Sequence, residues 1–596
     1  LQRWGKPVVL WKVLGARTFL NKDEKKIMPL WKYKIETLPE SGVGEMHPVT
    51  EALLRERGLV DQEARDLFLM PSFDRDIHNP FLFREMEKIV TRIGEARANL
   101  ETVGVFGDFD ADGVTSSVIM REALEAVGVP VEVYIPEKVN EGHGFNILAV
   151  NFFEQKGIKL VLTLDCGIMN HDVIALAKKR GIATIVIDHH HVPAVMPDAY
   201  AIVNPKVPTE NYPFRDLCGA GTSFKVAQAL YQRYLPDQVE QLKWLLDVVA
   251  TGTVADVMPL IGENRVIVKY GLMVLSKTKR VGFQEMFAVG RMKIDEDNIP
   301  DAHMIGFQIA PRINAASRMA HAMLAHRLLM ERDQANARVL ALELEDCNVR
   351  RQKVSAEVTD RVREIAIAKF SDKKFIFAAD EHFPYGVVGL IAGRIAREFN
   401  KPTCVMTRGE TTSTGSFRSI PELNIIETIE ECGDMLEKFG GHAQAAGMTI
   451  KNENMDAFYE KFNALVEKKL VDVVTEPEQW IDIRLRPEHI TPKLYRDLML
   501  FAPFGEGNRE PVFALENMLV REARLVGNGS KHWKLSLVPQ GGIKCFDAIG
   551  FSLGTTVPDL KENDSIDVAF TIAENTWNGS TSIQLKLVDI VKKKTE

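Results

Sequence analysis

The segment Val103-Gly104-Val105-Phe106-Gly107-Asp108-Phe109-Asp110-Ala111-Asp112-Gly113 is an apolar run that ends in three carboxylates and a glycine. Two later segments repeat the design: Val161-Leu162-Thr163-Leu164-Asp165-Cys166-Gly167 and Ile185-Val186-Ile187-Asp188-His189-His190-His191. Continuous short runs of Val, Ile and Leu read as strands buried on both faces, as in a parallel sheet. Ligands of open α/β sheets sit beyond the carboxyl ends of the strands, so the three strands are expected to converge their polar ends on one crevice. Carboxylates crowded there repel one another unless a cation neutralises them. A fourth apolar stretch, Leu246 to Leu260, delivers Asp256 just before Pro259.

The spacing of two between Asp108, Asp110 and Asp112 projects all three to one side of an extended chain, with Gly113 allowing a tight turn into the next helix. Mg²⁺ and Mn²⁺ prefer oxygen ligands, and Mn²⁺ tolerates imidazole better than Mg²⁺ does. One histidine among four or five carboxylates therefore suits Mn²⁺ or Mg²⁺ more than zinc.

In this order the four stretches resemble the signature motifs of the DHH phosphoesterase superfamily, named for the Asp-His-His found here at Asp188-His189-His190. Within it, Gly252-Thr253-Val254-Ala255-Asp256-Val257-Met258-Pro259-Leu260 and the length of the chain are similar to the RecJ family, single-strand-specific 5′→3′ DNA exonucleases. The resemblance implies a two-metal site, with Asp110 and Asp165 on one ion and Asp112, Asp165, His189 and Asp256 on the other, Asp165 bridging. Such a pair activates a water and stabilises the attacking and leaving oxygens of phosphodiester hydrolysis. Asp110, Asp112, Asp165, Asp188, His189, His190 and Asp256 then form the catalytic set, with Asp188 orienting an imidazole and His190 touching phosphate. Many superfamily members carry histidine four residues before the Asp110 position, where this chain has Phe106, and Asp108 is the candidate to fill that vacancy.

The substrate side rests on similar resemblances. Gly440-Gly441-His442-Ala443-Gln444-Ala445-Ala446-Gly447 resembles the glycine-rich motif of the DHHA1 domain that follows DHH domains, where backbone amides and the histidine approach nucleic acid. Read as a helix N-terminus packed on a sheet, the motif explains its glycines but not His442. Ser416-Phe417-Arg418-Ser419 and Pro311 to Arg318 are also similar to the family. Arginine forks match phosphate oxygens, which makes Ser416, Arg418 and Arg312 candidates for a terminal 5′-phosphate, with Lys138 a weaker fourth. Gly219-Ala220-Gly221 reads as close helix packing, and the absence of a Walker A lysine motif argues against ATP use.

At 596 residues the chain exceeds one hydrophobic core. The expected architecture is α/β: an N-terminal extension and lead-in over 1–44, a parallel-sheet DHH domain over 45–335, a connecting helix over 336–370, a second α/β domain, DHHA1, over 371–472, and an OB-fold β-barrel over 473–596. Residues 1–27 read as an upstream extension, non-native to the folded core, because Met28-Pro29-Leu30 looks like a natural start; a docking arm is the alternative. In the barrel, Trp533, Phe546, Phe551 and Trp577 lie among Lys531, His532, Lys534 and Lys544, a pattern that serves either base stacking or a core. Ala502 to Phe513 reads as a turn-rich connection without chemistry.

The composition, 45% hydrophobic and 26% charged, is globular, and no apolar run approaches a membrane span. Six scattered cysteines without a C-x-x-C pair fit a reducing cytosol, hence a cytoplasmic protein. The formal net charge of -8 excludes nothing, since the metal cluster supplies part of it and a groove needs only a local basic stripe. The resemblance thus implies a monomeric exonuclease of DNA repair and recombination that releases mononucleotides from single-stranded DNA, helped by a helicase and a single-strand-binding protein. The competing readings are a DHH phosphodiesterase for oligoribonucleotides or cyclic dinucleotides, and an inactive replication scaffold.

Overall fold

The computed structural model describes residues 30–36, 38, 46–138, 140–471, 478–527, 529–577 and 580–593. Residues 1–27, expected as an extension, lie outside that set. The first described element is a strand, β1 (Leu30–Ile35), in the stretch read from sequence as lead-in.

The next strands are β2 (Val103–Gly107), β3 (Val131–Tyr134), β4 (Leu160–Leu164), β5 (Ala183–Ile187) and β6 (Ala201–Val203), which form one all-parallel sheet in the order β3-β2-β4-β5-β6. Every residue of β2 and β4 is buried, which is why both read as unbroken apolar runs. Successive side chains alternate between two cores: Val105, Leu162 and Ile185 join one cluster, Phe106, Val161 and Val186 the other. Strand order reverses between β2 and β4, and such a switch point opens a crevice at the strand ends. Three helices, Ala111–Ala126, Gly219–Tyr234 and Leu246–Ala255, pack closely behind that crevice. Gly252 makes the approach possible, because a Cβ there would lie 2.6 Å from that of Ala220 and 2.4 Å from Thr115 Oγ1.

The helix Gln334–Phe370 is the long connection expected from sequence. Its first half places Ala337, Leu340, Ala341, Leu344 and Cys347 in the first core; Val358, Val362, Ala366 and Phe370 join a separate one. A mixed sheet follows, built from β7 (Ile376–Asp380), β8 (Thr403–Arg408), β9 (Thr412–Arg418), β10 (Leu436–His442) and β11 (Ala445–Lys451) in the order β10-β11-β9-β8-β7. Here the glycine motif 440–447 differs from its reading as a helix N-terminus: it is the β10–β11 hairpin, and Gly441 serves its close strand pairing, since a Cβ there would lie 2.4 Å from Ala445 O.

The C-terminal strands are β12 (Glu478–Arg484), β13 (Phe513–Val526), β14 (His532–Pro539), β15 (Phe546–Gly550), β16 (Ser565–Trp577) and β17 (Ser580–Lys592). The order β13-β14-β15-β17-β16, closed by pairing of β13 with β16, is a five-stranded barrel of the OB type. β12 extends it in parallel from β13, and β1 adds in parallel to β12. The chain divides into two compact units, one of Asp66–Lys353 with Ala502–Arg509, the other of the residues to Arg65, Val354–Phe501 and Glu510 onward.

Candidate metal centre

The sheet's hydrogen-bond ladder continues past the strands and fixes the first polar residues. Asp108 N donates to Leu164 O at 3.3 Å, Asp165 N to Ile187 O at 3.0 Å and Asp188 N to Val203 O at 2.9 Å. The backbone then turns sharply, with Asp165 at φ 59° and Gly167 at φ 113°. The three aspartates of the first motif do not share one extended face as their spacing suggests. Asp110 is instead the N-cap of the helix Ala111–Ala126, its Oδ1 accepting from Asp112 N at 3.0 Å and Gly113 N at 3.1 Å, and Asp112 stands in the first helical turn. Gly113 is needed for close approach: a Cβ would lie 2.4 Å from Asp108 O.

Two groups of potential ligands result. The ligand atoms of Asp108, Asp110 and Asp165 lie within 4.8 Å of one another, as do those of Asp112, His189 and Asp256. Asp165 belongs to a further group with His189 and His190, so it stands between the sets. Asp108 groups with Asp110 and Asp165, while Phe106 is fully buried in the core.

The electrostatics demand a cation. Burial, followed by the charge of Asp108, raises the Asp110 carboxyl, and burial with Asp110 lifts Asp112 to about 6. Burial combined with neighbouring carboxylates, Asp112 first among them, drives Asp165 and Asp256 well above the usual range. Burial and the charge of His190 push His189 down to about 3, leaving a neutral imidazole fit to ligate. Asp108 Oδ1, Asp165 Oδ1 and both His189 nitrogens are buried without hydrogen-bond partners among the described residues. His189 Nε2 nevertheless lies 3.0 Å from Asp165 Oδ1. Two ligands at right angles on an ion about 2.1 Å away would be separated by about 3.0 Å, so the orphaned atoms fit a divalent cation.

The supporting groups divide by function. Asp112 is held by the start of the helix Gly219–Tyr234, where Gly219 N donates to Oδ2 at 2.6 Å and Ala220 N to Oδ1 at 2.8 Å. The Gly-Ala-Gly segment read as packing therefore also anchors a ligand. Asp188 Oδ1 accepts from His189 N, His190 N and His190 Nδ1 at 2.7, 3.0 and 2.8 Å, and Oδ2 from Ile168 N at 3.0 Å. Burial would raise Asp188, but these bonds and the charge of His190 hold it at about 2. Burial would likewise lower His190, and Asp188 overcomes it, lifting the imidazole to about 9. His190 is thus a half-exposed cation whose Nδ1 is committed to Asp188.

Two neighbours escaped the sequence reading. His143 Nδ1 lies 3.1 Å from Asp108 Oδ2, its ring 4.2 Å from that of Phe109, presented between Gly142 and Gly144 at φ 74° and 86°. Asn314 Oδ1 accepts from Ala111 N at 2.9 Å, inside the segment singled out for Arg312. The Gly-His-Gly pattern was the one available signal for His143.

The proposed phosphate contacts are placed as follows. Lys138 holds its ammonium 5.1 Å above the Phe109 ring. Arg312 is engaged by Glu345 through Nε at 2.6 Å and Nη2 at 3.1 Å. Strand register aligns Arg418 with Ala445 and Ala445 with His442, and in the next row but one Ser416 with Gly447 and Gly440. Directly paired residues share a face, so Ser416, Arg418 and His442 lie on one face of the sheet, with β11 between His442 and the other two. Arg418 Nη1 donates to Ser416 Oγ at 2.9 Å and to Phe417 O at 2.7 Å. Burial lowers this guanidinium, and among the described residues no carboxylate pairs with it. Gly389 leaves room for it, since a Cβ there would lie 3.2 Å from Arg418 Nη2.

In the barrel, Trp533 and Phe546 are core, Trp533 Nε1 donating to Val557 O at 2.8 Å, whereas Phe551 is 46% exposed beside His532. The side chain of Trp577 lies outside the described set.

The DHH family, N-terminal domain, matches residues 102–253, the DHHA1 domain 372–468 and the RecJ OB domain 481–589. The single-stranded-DNA-specific exonuclease RecJ of Bacillus subtilis is 34% identical over 560 residues, 93% of this chain and 69% of the relative. The chain belongs to the RecJ family. The Haemophilus influenzae RecJ is 30% identical over 566 residues, 92% of this chain and 96% of its own. The crystal structure of Thermus thermophilus RecJ in complex with Mn²⁺ aligns with a TM-score of 0.77 at 29% identity, covering 92% of this chain and 77% of that one. Among the described residues no helix is long and apolar enough to cross a membrane.

Proposed function

We propose that this RecJ-family chain is a two-metal exonuclease that degrades single-stranded DNA in the 5′→3′ direction to mononucleotides, in DNA repair and recombination. The observation that carries the reading is the pair of ligand groups meeting at Asp165, with buried atoms that lack a hydrogen-bond partner among the described residues. Asp108, Asp110 and Asp165 would hold one Mn²⁺ or Mg²⁺, and Asp112, Asp165, His189 and Asp256 the other. The ions would supply a deprotonated water and neutralise charge on the scissile phosphate.

The chain's own groups do the rest. His190, cationic through its pairing with Asp188, offers its exposed ring edge to a phosphate oxygen. His143 steadies Asp108 from the solvent side. Ser416, Arg418 and His442 form a second anion site, suited to the terminal 5′-phosphate because its partly buried arginine has no acid partner among the described residues. Lys138 is a further phosphate contact; Arg312 would first have to leave Glu345. Phe551 with Lys531 and Lys534 is the part of the barrel suited to stacking on bases. An enzyme confined to single strands needs a helicase to supply them and meets single-strand-binding protein on them, and both are proposed partners of a cytosolic monomer.

The deciding experiment uses end-labelled single- and double-stranded DNA with Mn²⁺, Mg²⁺ or EDTA. The 5′ label should appear first, as a mononucleotide, from single strands only, and EDTA should stop its release. Early release of a 3′ label, or equal attack on duplex, would overturn the reading.

A further inference from the structure

We infer that the segment Ala502–Arg509 positions Asp256 and thereby sets the affinity of the ion bound by Asp112, His189 and Asp256; this rests on the two-metal reading above. The segment Ala502-Pro503-Phe504-Gly505-Glu506-Gly507-Asn508-Arg509 falls inside the match to the RecJ OB domain. It packs instead within the compact unit built from Asp66–Lys353.

The backbone at Asp256 is closed by its own helix, Asp256 N donating to Gly252 O at 2.9 Å and Met258 N to Thr253 O at 3.1 Å, but the carboxylate is not held in this way. Asp256 is the C-cap of the helix Leu246–Ala255, and the chain leaves it through Val257 at φ 57°, a left-handed conformation unfavourable to a β-branched residue. Asp110, Asp112 and Asp188 are each fixed by backbone amides, whereas among the described residues no hydrogen bond fixes the Asp256 carboxylate. With the near end of the turn fixed by the helix, the setting of the carboxylate depends on where the far end, Pro259–Leu260, is held.

The segment holds that turn. Leu260 N donates to Glu506 O at 2.7 Å, and Arg265 Nη2 donates to Ala502 O at 2.8 Å. Asn264 Nδ2 donates to Pro259 O at 3.2 Å from below. The segment is itself closed by Asn508, whose Nδ2 donates to Pro503 O at 2.8 Å, and by reciprocal backbone bonds between Gly505 and Asn508. Gly507 is required by contact and by backbone, since at φ 68° a Cβ would lie 2.8 Å from Pro259 Cβ; Gly505 packs on the Leu260 side chain, where a Cβ would lie 2.6 Å from Cδ1. Pro259 and Leu260 follow Asp256 by three and four residues, so a displaced turn moves the carboxylate. Metal ligands must be held to about 0.5 Å, and removal of a group supporting a ligand typically weakens metal binding about 10- to 100-fold. None of Ala502–Arg509 is in a ligand group, so the segment acts only through Asp256.

The test is a Mn²⁺ titration of the full chain, with free Mn²⁺ read by electron paramagnetic resonance. Gly507→Val inserts bulk against Pro259; Asn508→Ala only loosens the segment. Gly541→Ala, at another left-handed glycine with open space around it, is the control for backbone strain. The parent and Gly541→Ala should bind two ions alike. In Gly507→Val one ion should keep its affinity while the other weakens at least about tenfold, with Asn508→Ala shifted the same way. Should Gly507→Val fail to fold by circular dichroism, Asn508→Ala decides alone. Parental affinity for both ions in the folded variants overturns the inference. A parent that binds one ion refutes the two-metal reading instead, and weakening of that ion in the variants would still uphold the positioning role.

Discussion

Replacing Asp165 with asparagine keeps the side chain's shape and removes one charge from a site whose ligand atoms lie within 4.8 Å of one another. At that separation two full charges repel by roughly 3.5 kcal/mol in an effective dielectric of about 20. Burial and the neighbouring carboxylates already hold Asp165 well above the usual range, so part of the repulsion is relieved by proton binding. In EDTA at pH 8 the Asp165→Asn protein should therefore be more stable than the parent by roughly 1–3 kcal/mol, a rise in melting temperature of several degrees. Mn²⁺ reverses the order. At about 100 times the dissociation constant a bound ion adds about 2.7 kcal/mol to the parent, while the variant, lacking the carboxylate between the two ligand groups, gains little and has no nuclease activity. Thermal melts of both proteins in EDTA and in Mn²⁺, followed by circular dichroism, measure all four states. Equal Mn²⁺ stabilisation of both, or an EDTA-treated variant less stable than its parent, would refute the reasoning.

Gly219→Ala should damage the same site from behind, because the new Cβ would lie 2.6 Å from Asp165 Cβ and 2.8 Å from Oδ1. A cost of about 1–3 kcal/mol in urea unfolding is expected, together with weaker Mn²⁺ binding. Arg418→Ala should reduce the preference for 5′-phosphorylated over 5′-hydroxyl strands in a competition assay by about tenfold, leaving Mn²⁺ affinity unchanged; an unaltered preference would remove Arg418 from the terminus. His326 is buried with neither nitrogen partnered among the described residues, and burial, with Arg121 and Arg280 nearby, pushes it down to about 3. The unfolded chain binds a proton there below about pH 6.5 while the folded protein refuses it, so stability falls by about 1.4 kcal/mol per pH unit from that point down. Urea unfolding at pH 7, 6 and 5 should show that slope reduced by the same amount in His326→Leu, and parallel slopes would refute the attribution.

The sheet was legible because β2 and β4 are buried on both faces and end in polar residues that the interior cannot accept without a ligand. The same logic marked Asp108, Asp110, Asp112, Asp165, His189 and Asp256, all of which the fold gathers. What stayed hidden was support carried by backbone or by distant chain. The amides of Gly219 and Ala220 that hold Asp112 have no side-chain signature, and His143 reaches Asp108 only through a loop between two left-handed glycines. The hold of Ala502–Arg509 on the Asp256 turn is likewise written in close contacts, so the segment reads as an idle connection. Trp533 and Phe551 look alike in sequence; barrel pairing buries one and exposes the other.

The pairing of β1 with β12 sets a timetable for synthesis. Lys32 meets Glu478 across 446 residues, and Trp31 meets Asp589 across 558. As the ribosome delivers the chain N-terminus first, at about 5–20 residues per second, β1 waits tens of seconds for its partner. The parallel sheet that carries Asp108, Asp165 and Asp188 can collapse long before then, on contacts close in sequence. Through that interval Trp31 and Tyr33, partly buried in the finished protein, have no sheet to cover them, and an unpaired strand is a template for other chains. The nascent protein therefore needs a chaperone at β1, and a chain stopped before residue 478 carries that strand without its partner for its whole lifetime.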